Sequence, residues 1–217
     1  FIQLKKGSLT EIEGWIQLSE PEIQNVVVEI PEAGIKKTIT TDERGRALVK
    51  FPAKLKLWSS RSPKLYEIKL TSGTDRVAEL IGFRSIEVKG TDILLNRKPV
   101  FLRGISFHEE IPQRAGRAYW EADARMLLGW AKELGCNFVR LSHYPQNEYI
   151  VRIAEQMGMM IWEEIPLWQG IQFTSPLILN KANVMLREMI SRDKNRCGII
   201  IWSLSNETTP SPERNVI

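Results

Sequence analysis

The sequence predicts two units of different fold class. Residues 1–90 read as an antiparallel β-sandwich of immunoglobulin type, and residues 91–217 as a parallel α/β unit. Two observations carry this. The first part holds short runs of alternating polar and apolar residues with no helical period between them, and the second holds four apolar runs separated by stretches of helical period. A third observation, that polar residues gather at the ends of those four runs, bears on function.

In the first part, Val26-Val27-Val28-Glu29-Ile30 is β-branched, and Arg46–Phe51, Lys54–Trp58, Tyr66–Leu70 and Ile86–Lys89 alternate. Turn signals separate them at Pro31–Gly34, Asp42–Gly45, Ser62-Pro63 and Ser72-Gly73. Short strands at this spacing suit a sandwich.

In the second part, Val100–Ile105 is the first expected strand. Glu121–Leu134 then places Met126, Leu127, Trp130, Ala131 and Leu134 on one helical face, with Gly135 suited to the helix end. Asn137–Leu141 follows as a strand, then a helix from the cap Asn147 to Gly158. Met159–Trp162 is the third strand. Ser175-Pro176 opens a helix with Met185, Leu186, Met189 and Ile190 inward, and Gly198–Leu204 is the fourth strand. Parallel strands with right-handed crossovers result. An open doubly wound sheet and the first half of a (β/α)8 barrel both fit, and periodicity does not choose.

The 217 residues are 43% hydrophobic and 26% charged, ordinary for a globular protein. The net charge of +4 comes from dispersed basic residues, which argues against nucleic acid as partner. Cys136 and Cys197 are expected as reduced, buried thiols rather than a disulfide, and with two histidines they make no zinc pattern. No apolar stretch approaches the roughly 20 residues of a membrane span. The first residues, Phe1–Lys6, read as a strand already under way rather than a signal peptide, so an interior fragment is expected. The compartment stays open between bacterial cytoplasm and periplasm.

In parallel α/β folds functional groups collect at the carboxyl ends of strands. Here those ends read Ser106-Phe107-His108-Glu109-Glu110, Arg140-Leu141-Ser142-His143-Tyr144, Glu163-Glu164-Ile165-Pro166 and Ser205-Asn206-Glu207. Both histidines of the chain lie there. A carboxylate-rich cup without a glycine-rich phosphate loop or a Gly-x-Ser-x-Gly elbow suits acid/base work on a neutral polyol. Taken singly, each residue has an ordinary reading. Arg140 is then an ion-pair partner of Glu163 or Glu164, the histidines are loop residues, and Trp162, Trp168 and Trp202 are core aromatics.

Arg192-Asp193-Lys194-Asn195 followed by Ile199–Glu207 resembles the acid/base signature of glycoside hydrolase family 2, which includes β-galactosidases, β-glucuronidases and β-mannosidases. Phe138–Pro145 resembles its second-strand motif, Asn96–Gly104 the approach to its barrel, and Leu57–Tyr66 the end of its immunoglobulin-like domain. The resemblance implies the barrel and a retaining exo-β-glycosidase of β-galactosidase or β-glucuronidase type. Glu207 is then the acid/base, Asn206 the partner of the sugar 2-hydroxyl, and Arg140 the residue that orients the nucleophile. His143 and His108 bind sugar hydroxyls, and Glu164 contacts substrate or supports a residue that does.

The partner implied is a β-glycoside, with neither nucleic acid nor membrane, and the parent enzyme is expected as a homo-oligomer. No cofactor is expected, and no metal, because Ile165–Gly170 lacks the carboxylate and histidine that some relatives use. The family's nucleophile lies on a seventh strand, so the fragment by itself is expected to be inactive. With open edges on strands one and four, it is also expected to be unstable or self-associating. The rival reading is a non-catalytic carbohydrate-binding or scaffold protein with a degenerate barrel.

Overall fold

The computed structural model describes residues 1–216 and divides into two compact units, Phe1–Phe101 and Leu102–Ile217. In the first, β1 (Ile2–Leu4), β2 (Glu11–Gln17) and β5 (Arg46–Pro52) form one antiparallel sheet in the order β1-β2-β5. A second sheet, β4-β3-β6-β7, contains β3 (Asn25–Ile30), β4 (Ile35–Thr40), β6 (Tyr66–Ser72) and β7 (Asp75–Ile81). Alternation decides what is buried. Ile12, Ile16, Val49 and Phe51 from the first sheet and Val26, Val28, Tyr66 and Ile68 from the second join one apolar cluster. Burying each such side chain contributes about 1.5–3 kcal/mol.

A meander of β8 (Ile86–Lys89), β9 (Asp92–Leu95) and β10 (Lys98–Pro99) completes this unit. The change of fold expected at residue 90 falls inside it. β8 and β9 pair across Gly90, which takes φ +60°, so the compact unit runs on to Phe101. Lys54–Trp58, read as a strand, joins no ladder. It is tied instead by single bonds, Lys56 N–H to Tyr66 Oη (2.9 Å) and Trp58 N–H to Phe83 O (2.8 Å), with Trp58 fully buried. The strands β2, β4, β7, β9 and β10 lie outside those expected from sequence, and of these β4 and β7 are largely exposed and therefore weakly patterned.

In the second unit β11 (Gly104–Phe107), β14 (Phe138–Leu141), β15 (Met160–Glu164) and β16 (Ile199–Ser203) form a four-stranded parallel sheet in the order β11-β14-β15-β16. A hairpin of β12 (Glu110–Ile111) and β13 (Gly116–Arg117) follows β11. The crossovers carry α1 (Glu121–Glu133), α2 (Glu148–Met157) and α3 (Pro176–Asp193). Val139, Leu141, Ile161 and Ile199 project from one sheet face into a core with Leu127, Leu128, Ile150 and Ile153 of the helices. No helix among the described residues is long and apolar enough to cross a membrane.

Two expectations shift here. The first strand is Gly104–Phe107, not Val100–Ile105, and Phe101 is exposed. Gly104 lies so close to β14 that a Cβ there would stand 2.5 Å from the Phe138 carbonyl oxygen, so the residue that looks like a breaker permits the pairing. On α1 the buried stripe is Ala124, Leu127, Leu128 and Ala131, whereas Leu134 is exposed and Trp130 partly so. Both stripes have helical spacing, and only packing on the sheet distinguishes them. The α2 cap is as expected, with Asn147 Oδ1 accepting from Tyr149 N–H (3.0 Å) and Gly158 at φ +72°. On α3, Met189 is buried as read, joined by Ala182 and Asp193.

Candidate active site

Residues two apart on a strand share a face, so Trp162 and Glu164 of β15 look one way and Ile161 and Glu163 the other. The ladder pairs Arg140 with Trp162 and Leu141 with Glu163. Arg140 therefore shares the face of Trp162 and Glu164, and its guanidinium lies 4.7 Å from the centroid of the Trp162 ring system. Its Nε donates to Glu164 Oε2 (3.1 Å), and its Nη2 donates to Oε2 (2.8 Å) and Oε1 (3.0 Å). Glu164 is almost wholly buried. A charge removed from water this far needs a partner of fixed geometry, and the guanidinium fork supplies it.

The same Nη2 donates to Asn206 Oδ1 (2.7 Å). His143, which follows a cis peptide after Ser142, turns its Nδ1 onto Glu164 Oε1 and lies 3.4 Å from Arg140 Nη2. Three of the four strand tops thus contribute to one network. The fourth adds His108, which is exposed and packs its ring edge-on to His143 at 5.6 Å and against Tyr144 at 5.8 Å.

Asn206 is held from behind. Its N–H donates to Leu167 O (2.8 Å), its carbonyl accepts from Gln169 N–H (3.0 Å), and Trp168 and Asn206 form a parallel bridge. This support is not among the features expected from sequence. The segment Ile165–Gly170 is largely apolar and punctuated by Pro166 and Gly170, and only its burial alternates, with Ile165 and Leu167 buried and Pro166 and Trp168 exposed. Glu207, the next residue, has φ +53° and is exposed to solvent. The pocket expected to be shared by Arg140, Asn206, His143 and Glu207 thus joins the first three through recorded bonds, and Glu207 follows Asn206 on the exposed side.

Glu163 points to the opposite face, where Arg192 Nη2 donates to its Oε1 (3.0 Å) and Asp193 lies beside it. Burial, and then the charge of Asp193, push its carboxyl up to about 9. It faces α3, and Glu164 has both oxygens engaged, so neither carboxylate is poised as a nucleophile. The Arg196-Cys197 loop ahead of β16 also acquires a role. Arg196 Nη1 donates to the buried Glu155 Oε1 (2.6 Å) and Cys197 N–H to Oε2 (3.0 Å), tying the loop to α2. Among the described residues no three histidine, cysteine, aspartate or glutamate side chains gather as a metal site.

The family of glycosyl hydrolases family 2, TIM barrel domain, matches over residues 86–216. The chain belongs to glycoside hydrolase family 2. The β-galactosidase of Thermoanaerobacterium thermosulfurigenes is 36% identical over 157 residues, 69% of this chain and 21% of that protein. The β-glucuronidase of Streptococcus agalactiae is 32% identical over 177 residues, 72% of this chain and 29% of that protein. Among solved structures, the β-glucuronidase of Bifidobacterium dentium complexed with coumarin-3-O-glucuronide aligns with a TM-score of 0.84 at 25% identity, over 94% of this chain and 35% of that one. This family 2 chain spans about a fifth of the length of the first curated relatives it matches.

Proposed function

We propose that this chain is part of a retaining exo-β-glycosidase that releases terminal β-linked sugars by double displacement, of β-glucuronidase or β-galactosidase type. In this reading the unit that ends at Phe101 holds an immunoglobulin-like sandwich and the unit from Leu102 is the first half of a (β/α)8 barrel. What supports it most is one observation in a family 2 frame: Arg140, Glu164, His143 and Asn206 converge on one face at the strand tops, directly before Glu207.

Each group has a task. Glu207 protonates the glycosidic oxygen and then deprotonates the attacking water. Asn206, held by Arg140 and by the bridge to Trp168, offers its amide to the 2-hydroxyl, a bond that strengthens in an oxocarbenium-like transition state. Arg140, braced by Glu164, presents positive charge to the nucleophile. His143 and His108 bind hydroxyls of the sugar. Retaining hydrolysis needs a second, ionised carboxylate about 5–5.5 Å from the acid. The family resemblance assigns it to a seventh barrel strand rather than to Glu163 or Glu164.

The test is Glu207→Gln in the full chain, assayed on β-glucuronides and β-galactosides. Turnover of alkyl glycosides, whose leaving groups need a proton, is expected to fall by about 10³-fold or more, while the glycosylation burst with dinitrophenyl glycosides is largely kept. Equal loss on both substrate types removes Glu207 from the acid role. Unchanged turnover on both moves the acid role to another residue, and no turnover of either by the wild type favours a non-catalytic carbohydrate-binding protein.

A further inference from the structure

Trp168 is a large apolar side chain left 54% exposed on a segment that is otherwise anchored. Ile165 (1% exposed), Leu167 (6%) and Phe173 (5%) pack into a cluster with Ala182 and Met189 of α3. Backbone bonds tie the segment to the end of β16 and the residues after it, from Ile165 N–H to Ser203 O (3.3 Å), Asn206 N–H to Leu167 O (2.8 Å) and Gln169 N–H to Asn206 O (3.0 Å). The indole therefore stands on fixed backbone instead of a loose loop.

Its direction follows from register. The chain turns at Pro166, where Leu167 N–H donates to Ile165 O (2.8 Å), and Trp168 then forms a parallel bridge with Asn206, whose side chain meets Arg140 on the face of Glu164. Bridge partners project to the same side and lie one strand spacing apart, about 4.8 Å, which sets the indole beside the Asn206 amide. The other exposed tryptophan of this sheet, Trp202, pairs with Glu163 and looks toward α3, away from Arg140.

We infer that the Trp168 indole is the platform on which the leaving-group ring of the substrate stacks. The inference rests on the glycosidase reading of the site. The buried Glu164 and the partly buried Arg140 form the floor, and Glu207 and Trp168 are exposed. A substrate whose terminal sugar meets the floor carries its scissile oxygen out toward Glu207 and its leaving group beyond it, level with the indole. An indole face suits a pyranose C–H face or an aryl ring and asks nothing of its hydroxyl pattern.

The test uses inert thioglycosides, so it does not depend on turnover. Binding of phenyl and methyl 1-thio-β-glucuronides and 1-thio-β-galactosides to the full chain is measured by calorimetry for the wild type, Trp168→Ala and Trp168→Phe. The alanine variant is expected to weaken the phenyl ligand it binds by about tenfold and the methyl ligand by less than about twofold, with phenylalanine restoring most of the difference. Equal weakening of phenyl and methyl ligands, no weakening of either, or no binding by the wild type overturns the inference. Failure of the underlying reading appears separately, as full turnover by Glu207→Gln.

Discussion

Arg140 holds Glu164 across neighbouring parallel strands with both Nε and Nη2, at 2.8–3.1 Å. One strand top thereby becomes the brace of the next, and Asn206 is drawn onto the same nitrogen at 2.7 Å. Removing one member of a buried pair costs more than removing both, because the survivor keeps its desolvation cost without its partner. Arg140→Met is therefore expected to destabilise the chain by about 3–5 kcal/mol in denaturant unfolding, and Arg140→Met with Glu164→Leu to recover a large part of that loss. Additive single-mutant costs would show that the two side chains are solvated separately.

Glu163 gives the chain a pH dependence of opposite sign to an ordinary paired carboxylate. Burial first, then Asp193, raise its carboxyl from 4.5 to about 9. The folded state therefore holds a proton that the unfolded chain releases. The associated stability is complete below about pH 4.5 and is lost as pH rises toward 9, with a slope of at most about 1.4 kcal/mol per pH unit. Glu163→Gln mimics the protonated form. Unfolding free energies at pH 5, 7 and 8.5 are expected to fall less steeply for this variant, its advantage over wild type widening as pH rises. Parallel curves would place an ionised Glu163 in the native state.

The strand-end carboxylates were legible in the sequence because a parallel strand has a direction, and polar residues that stop apolar runs must lie at one rim. Which carboxylate goes where was not. Glu163 and Glu164 are chemically identical neighbours, and only the pleat sends one to Arg192 and the other to Arg140. On α1 the expected Leu127 and Ala131 are buried and Met126 packs beside them, whereas Trp130 and Leu134, at equally regular spacing, lie on the exposed flank of the stripe. Lys54–Trp58 alternates like a strand, yet it finds no partner for a ladder and buries Trp58 instead. Periodicity reports which residues can share a face, and packing decides which face is used.

The two cysteines differ in what surrounds them, and labelling reads the difference. Cys197 is fully buried, with its Sγ 3.3 Å from Glu155 Oε2, while Cys136 is only partly covered. A reagent reaches a fully buried thiol only when the surrounding structure opens. A thiol reagent is expected to modify one site per native chain quickly and the second about 100-fold or more slowly, at the rate of structural opening. Cys136→Ser is expected to remove the fast phase alone. A fast phase that survives this substitution would mean that the Glu155–Arg196 tie does not close the loop.

The placement of Asn206 makes a prediction about substrate rather than stability. Its Oδ1 is taken by Arg140, which leaves the amide N–H groups to face a sugar hydroxyl. In the proposed mechanism that hydroxyl is O2, and the bond matters more in the transition state than in the ground state. Asn206→Ala is therefore expected to lower kcat/KM by about 10²-fold on ordinary β-glycosides, about 2.7 kcal/mol, with kcat carrying most of the loss. On the 2-deoxy analogues, which lack the hydroxyl, the same substitution is expected to cost less than about threefold. If the loss on 2-deoxy substrates matches that on the parent sugars, Asn206 acts through the position of Arg140 and not through the sugar. Comparing Asn206→Ala with Asn206→Asp then separates the two roles, because aspartate keeps the acceptor for Arg140 but withdraws the donor from the 2-hydroxyl.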